Sequence, residues 1–83
     1  MAGYHKAKIK KGILGEISKI QEELDEVKDA VVQACTIMEL VELSDLFGAI
    51  ESYLEKHHPN TDMLDLQKMS DITKRAFTSG ERK

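Results

Sequence analysis

The chain has 83 residues, with 12 Lys and Arg against 15 Asp and Glu, no tryptophan, and a single cysteine, Cys35. A domain of this length buries only about 60% of its unfolded surface, so a core built from one copy is marginal. One cysteine excludes a disulfide-stapled scaffold and a cysteine-rich zinc module, while a net charge of -3 is too mild to enforce disorder and too acidic for a general nucleic-acid binder.

The first eleven residues are basic, with Lys6, Lys8, Lys10 and Lys11, and lack the apolar stretch of a signal peptide. No apolar run approaches the roughly 18–20 residues of a membrane span. The expectation is a cytoplasmic chain with neither membrane nor nucleic acid as a partner. Tyr4 to Lys10 alternates weakly and fits a short strand or an ordered arm. From Ile13 onward the period is helical: Ile17, Ile20, Leu24, Val27, Val31 and Ala34 step by threes and fours, which predicts an apolar seam on a helix over 13–34. A second helix is expected over 36–56. It is apolar around most of its circumference and therefore needs partners on more than one side. Pro59 and its neighbours break it, and a third helix is expected over 62–78, capped by Thr61 or Asp62. The fold class is all-α: about three helices per chain, completed by oligomerisation, with a monomeric three-helix bundle as the alternative.

The acids carry a second pattern. Glu16, Lys19, Glu23, Glu26 and Ala30 step by 3, 4, 3 and 4 and form a stripe beside the apolar seam, and Glu22 crowds Glu23 and Glu26 within one turn. On the second helix Glu42, Asp45 and Ala49 repeat the device between apolar flanks. Partly buried carboxylates protonate or find a counter-charge, and no Lys or Arg lies between Lys28 and Lys56 to supply one locally. A divalent cation fits the deficit. Oxygen-only ligands from two helices suit Mg2+, or Mn2+, better than zinc. A solvated acidic face is the plainer alternative.

Glu22-Glu23-Leu24-Asp25-Glu26, followed by Glu42-Leu43-Ser44-Asp45, resembles the EExxE, spacer, ExxD signature of the all-α nucleoside triphosphate pyrophosphohydrolases, the superfamily of MazG and the dimeric dUTPases. Lys11 to Ile20 leads into the motif as in short MazG-like proteins of phages and bacteria, and Met69 to Arg82 looks like their closing helix. The resemblance spans nearly the whole chain. It implies Glu23, Glu26, Glu42 and Asp45 as Mg2+ ligands, with Glu22 beside them or orienting the attacking water, so that Glu22 and Glu23 carry the catalytic role. The implied reaction cleaves a nucleoside triphosphate between the α and β phosphates in a homo-oligomer, dimer or tetramer, in the cytoplasm of a bacterium or phage-infected cell.

Phosphoryl chemistry also asks for cations to clamp the triphosphate. Lys19 is the first candidate; Lys68, Lys74 and Arg75 are others, with ion pairing or the helix dipole as their ordinary alternative roles. A base would have only Tyr4, Tyr53, Phe47, Phe77 or a second subunit to stack on. His57 and His58 are assigned to a helix C-terminus, Cys35 to packing. A non-catalytic reading stands beside this one: a small helical interaction protein whose acidic stripe meets a basic partner.

Overall fold

The computed structural model describes residues 5–78, and its described residues form an all-α chain with no strand. Three helices follow one another: α1, Ile17–Val32; α2, Thr36–His57; α3, Met63–Thr78. The expected second and third helices match to within a residue at either end. The first begins at Ile17 rather than 13 because Gly15 turns the chain at φ 89°, a conformation that favours glycine, and leaves Ile13 and Leu14 outside the helix. Tyr4, the side chain of Phe77, and residues 79–83, which include Gly80 and Arg82, lie outside the described residues.

The turn between α1 and α2 is a Schellman motif. The Cys35 N–H donates to the Ala30 carbonyl and the Ala34 N–H to that of Val31, closing the helix end with Ala34 at φ 54°. Glycine is the usual residue there, since a Cβ is penalised in the left-handed region. Replacing Ala34 with glycine is therefore expected to stabilise the chain by about 1 kcal/mol, read as a rise in thermal midpoint. Cys35, expected as packing filler, is exposed at the N-cap of α2.

This short connection makes α1 and α2 an antiparallel hairpin, and residues 5–15 are an ordered arm laid along it rather than a strand. The arm is tied down at both ends: the Lys6 and Ala7 N–H groups donate to Asp29, and that of Gly12 to Glu22 at 2.8 Å. Gly12 approaches α1 so closely that a Cβ there would collide with the Ser18 carbonyl. At the hairpin's open end Glu16 pairs with Lys56 and His57, whose ring lies 4.6 Å from that of Tyr53. His57 thus answers the carboxylate at the N-cap of α1 as well as the end of α2. The helix α3 starts with a reciprocal cap, Asp62 accepting from the Asp65 N–H and Asp65 from that of Asp62. It makes little contact with the hairpin beyond the neighbourhood of Phe47.

The core is built on the acidic side of α1. Buried apolar side chains among the described residues are Ala30, Met38, Ala49 and Leu54, and beside them lie four buried acids, Glu22, Glu23, Asp29 and Glu42. The acidic stripe turns toward α2, and the apolar seam turns away: Ile17 is 60% exposed and Val31 54%. Ala30 and Ala49, the small residues that continue the two acidic stripes, let the helices approach on this face. On α2, Ile37, Leu40, Val41 and Phe47 are exposed as well.

Candidate metal centre

All five carboxylates expected at the site come together between the helices. Glu23, Glu42 and Asp45 each bring an oxygen within 4.8 Å of the others, and Glu22, Glu23 and Glu26 do the same, so Glu23 belongs to both groups. The ligand oxygens of an octahedral Mg2+ stand roughly 3–4 Å apart, which falls inside that limit. Glu42 is 1% exposed and Glu23 6%, whereas Asp45 stays at the exposed rim. The antiparallel hairpin explains the pairing: one turn of α1 carries Glu22, Glu23 and Glu26, and the facing turn of α2 carries Glu42 and Asp45.

The electrostatics follow from this crowding. Burial, then the neighbouring carboxylate of Glu23 and the charge of Glu42, push Glu26 up to about 7, against the opposing pull of His5. Burial raises Asp45 too, with the charges of Glu23 and Glu42 adding to it. Glu22 goes the other way. Burial alone would raise it, but the Gly12 N–H, Lys19 at 3.1 Å and Lys11 outweigh that and hold it below the ordinary carboxylate range. Lys19 also lies 3.3 Å from Glu23; burial draws the ammonium down, and its two carboxylate partners more than restore it.

One group in the centre was not expected from sequence. His5, carried in by the arm, places Nε2 2.9 Å from Glu42 and 3.1 Å from Glu26, and Nδ1 2.8 Å from Asp29. Burial lowers the imidazole, yet the bonds to Asp29 and Glu42 and the charges of Glu42 and Glu26 leave it above its ordinary value. His5 thus supplies a counter-charge for Glu42 and Glu26, where the sequence pointed to a divalent cation alone. Asp29 could have been suspected, because Glu22, Glu26, Asp29 and Gln33 share one face at helical spacing. Its carboxyl is held down first by the His5 bond, then by Gln33 and the Lys6 and Ala7 N–H groups against a smaller effect of burial. Nothing local announces His5, whose partners stand 24 and 37 residues away.

The remaining candidates separate. Lys68, Lys74 and Arg75 line a shallow hollow on α3 with Asp71 and Ile72, to which α1 and α2 contribute no residue. They do not reach the carboxylates within one chain. Phe47 is exposed, and Tyr53 packs against His57 instead of facing the acids.

The residues present pass a test of fit for a cation. Glu23 Oε2 is buried with no hydrogen-bond partner, and an orphaned carboxylate oxygen inside a protein costs on the order of 1–3 kcal/mol unless something meets it. It lies where the two carboxylate groups join. Oxygen donors at this spacing suit a hard divalent ion. No described helix is long and apolar enough to cross a membrane. Compared with known proteins, the chain matches no family model, no curated protein and no solved structure.

Proposed function

We propose that the chain is a Mg2+-dependent nucleoside triphosphate pyrophosphohydrolase of the MazG-like kind, working as a homo-oligomer. The observation that carries the reading is the partnerless Glu23 Oε2 at the junction of two carboxylate groups on facing helices. Glu23, Glu26, Glu42 and Asp45 would hold the ion. When bound, it supplies charge neutralisation at the phosphates and a more acidic water as nucleophile. Lys19, fixed between Glu22 and Glu23, sits beside the same cluster as a cation for phosphate oxygens. Glu22 is the positioning residue: with its oxygens engaged by Gly12, Lys19 and Lys11, it holds both the lysine and the arm.

Self-association belongs to this reading. The outward seam of α1, with Ile17 and Val31, and the exposed Ile37, Leu40 and Val41 of α2 leave, among the described residues of one copy, more large apolar side chains exposed than buried. A second copy would cover them and could bring Lys68, Lys74 and Arg75 of its own α3 toward a bound triphosphate. Sedimentation equilibrium is expected to give a dimer or tetramer, and Val31→Glu to shift it toward the 9.4 kDa monomer.

The inward turn of Glu22, Glu23 and Glu42 supports a cation as their partner over a basic protein surface. The test is a panel of ribo- and deoxyribonucleoside triphosphates incubated with Mg2+ and analysed by phosphorus NMR. Appearance of a monophosphate with pyrophosphate is expected for at least one base. Diphosphate with orthophosphate, or no product from any of them, contradicts the proposal.

A further inference from the structure

The arm brings one nitrogen donor, His5, into a centre otherwise made of carboxylate oxygens. His5 is 9% exposed at its side chain, and its ring is fixed from behind: Asp29 can only accept, so Nδ1 donates to it. Asp29 is itself held by the N–H groups of Lys6 and Ala7 and by the Gln33 amide. This is the arrangement by which a carboxylate orients a metal-binding imidazole and makes its other nitrogen more basic. That other nitrogen, Nε2, faces Glu26 and Glu42, and the three residues bring one ligand atom each within 4.8 Å of one another. An independent observation points to a ligand: Glu23, whose carboxylate shares the neighbouring groups with Glu26 and with Glu42, is 6% exposed and carries the partnerless Oε2.

We propose that His5 is a metal ligand, completing with Glu26 and Glu42 a mixed nitrogen–oxygen position that takes a first-row transition-metal ion such as Mn2+ or Co2+ more tightly than Mg2+. The inference rests on the reading of the cluster as a cation site and adds the ligand that sets which cation binds. Imidazole suits transition ions, whereas Mg2+ keeps to oxygen and its own waters. The proton on Nε2 leaves for solvent as the ion takes its place. Because the histidine enters on the arm, the arm and the ion are held by the same contacts, and Asp29 is a positioning residue for the ring.

The experiment is pulsed electron paramagnetic resonance of Mn2+ bound to the full chain, with direct titrations of Mn2+ and Mg2+ on the wild type, His5→Ala and His5→Gln. The wild type is expected to show nitrogen modulation from one imidazole, which changes on labelling histidine with nitrogen-15. The modulation disappears in both variants, and Mn2+ affinity falls about tenfold or more while Mg2+ affinity moves less than threefold. The isotope experiment needs no substitution, so a variant that fails to fold does not rescue the proposal. Mn2+ bound without nitrogen modulation, or modulation that persists in His5→Ala, overturns the His5 assignment and leaves the pyrophosphohydrolase reading intact. Failure of the wild type to bind Mn2+ or Mg2+ at all overturns both.

Discussion

Glu42→Gln is expected to give a folded chain whose Mg2+-dependent pyrophosphate release is reduced by about a thousandfold or more. Glu42 is the most buried of the acids, and it is the residue common to the His5, Glu26 group and the Glu23, Asp45 group. Its loss removes one charged oxygen ligand from the middle of the proposed centre. Metal ions contribute several kcal/mol to transition-state stabilisation in phosphoryl chemistry, and each 1.36 kcal/mol is a factor of ten, so a loss of about 4 kcal/mol corresponds to that thousandfold. The fold should survive. The glutamine carbonyl can still accept from His5, and repulsion from Glu23, Glu26 and Asp45 is relieved. Steady-state pyrophosphate release and circular dichroism on the same preparation check both halves, and unchanged turnover would remove Glu42 from the centre.

The second large effect is on stability against pH. Glu26 has its carboxyl raised from 4.5 to about 7, so between those values the folded chain keeps a proton that the unfolded chain releases. Stability from this group is present at the acid end of the window and lost as pH rises through it. The full span corresponds to on the order of 3 kcal/mol, or roughly 10 °C of melting temperature or more for a domain of this size. Asp45 and His5 act in the same sense. Both are raised, and His5 loses its contribution as pH climbs through its folded value above 6.5. Glu22 and Asp29 are lowered, so their contribution is present above their ordinary values and lost in acid. The metal-free chain should therefore be most stable near pH 4.5 and melt progressively lower as pH rises through 7, with the loss of the His5 contribution continuing the decline above 6.5. Mg2+ should reverse the alkaline decline, because a bound cation replaces the protons that held the cluster together. Melting curves from pH 4 to 9 with and without Mg2+ measure this directly. Glu26→Gln should flatten the metal-free decline, and a decline that neither Mg2+ nor this substitution alters would count against the cluster as its source.

Much of this site is written in local spacing. Glu23 with Glu26 and Glu42 with Asp45 stand at i, i+3 on helices whose bounds the apolar period locates well, and a three-residue connection then brings the two pairs to the same level of an antiparallel hairpin. Spacing does not say which stripe of α1 meets α2. Both the apolar seam of Ile17, Leu24 and Val31 and the acidic stripe run the length of α1, and the small side chains of Ala30 and Ala49 allow the close approach on the acidic side. That choice could be made only once the arm was in place, since Asp29 and Glu22 are sheltered by backbone N–H groups of residues 6, 7 and 12. His5 was illegible for the same reason. A lone histidine in a lysine-rich stretch gains its meaning from partners brought to it by the tertiary path of the arm. Lys68, Lys74 and Arg75 show the opposite limit: their charge is plain in the sequence, but within one chain it has no route to the carboxylates.

Taken together, the metal-free cluster is held by substitutes. Lys19 neutralises it from one side, His5 from the other, and a raised Glu26 carries a proton at its centre, while Glu23 Oε2 is left without a partner. A divalent cation would perform all of these tasks at once, which is the physical content of the proposal. Calorimetric titration of Mg2+ into the wild type and into the Glu23→Gln, Glu42→Gln double variant at pH 7.5 tests it most directly. Saturable binding in the wild type that vanishes in the variant is the predicted result; two indistinguishable titrations, whether flat or saturable, would contradict it.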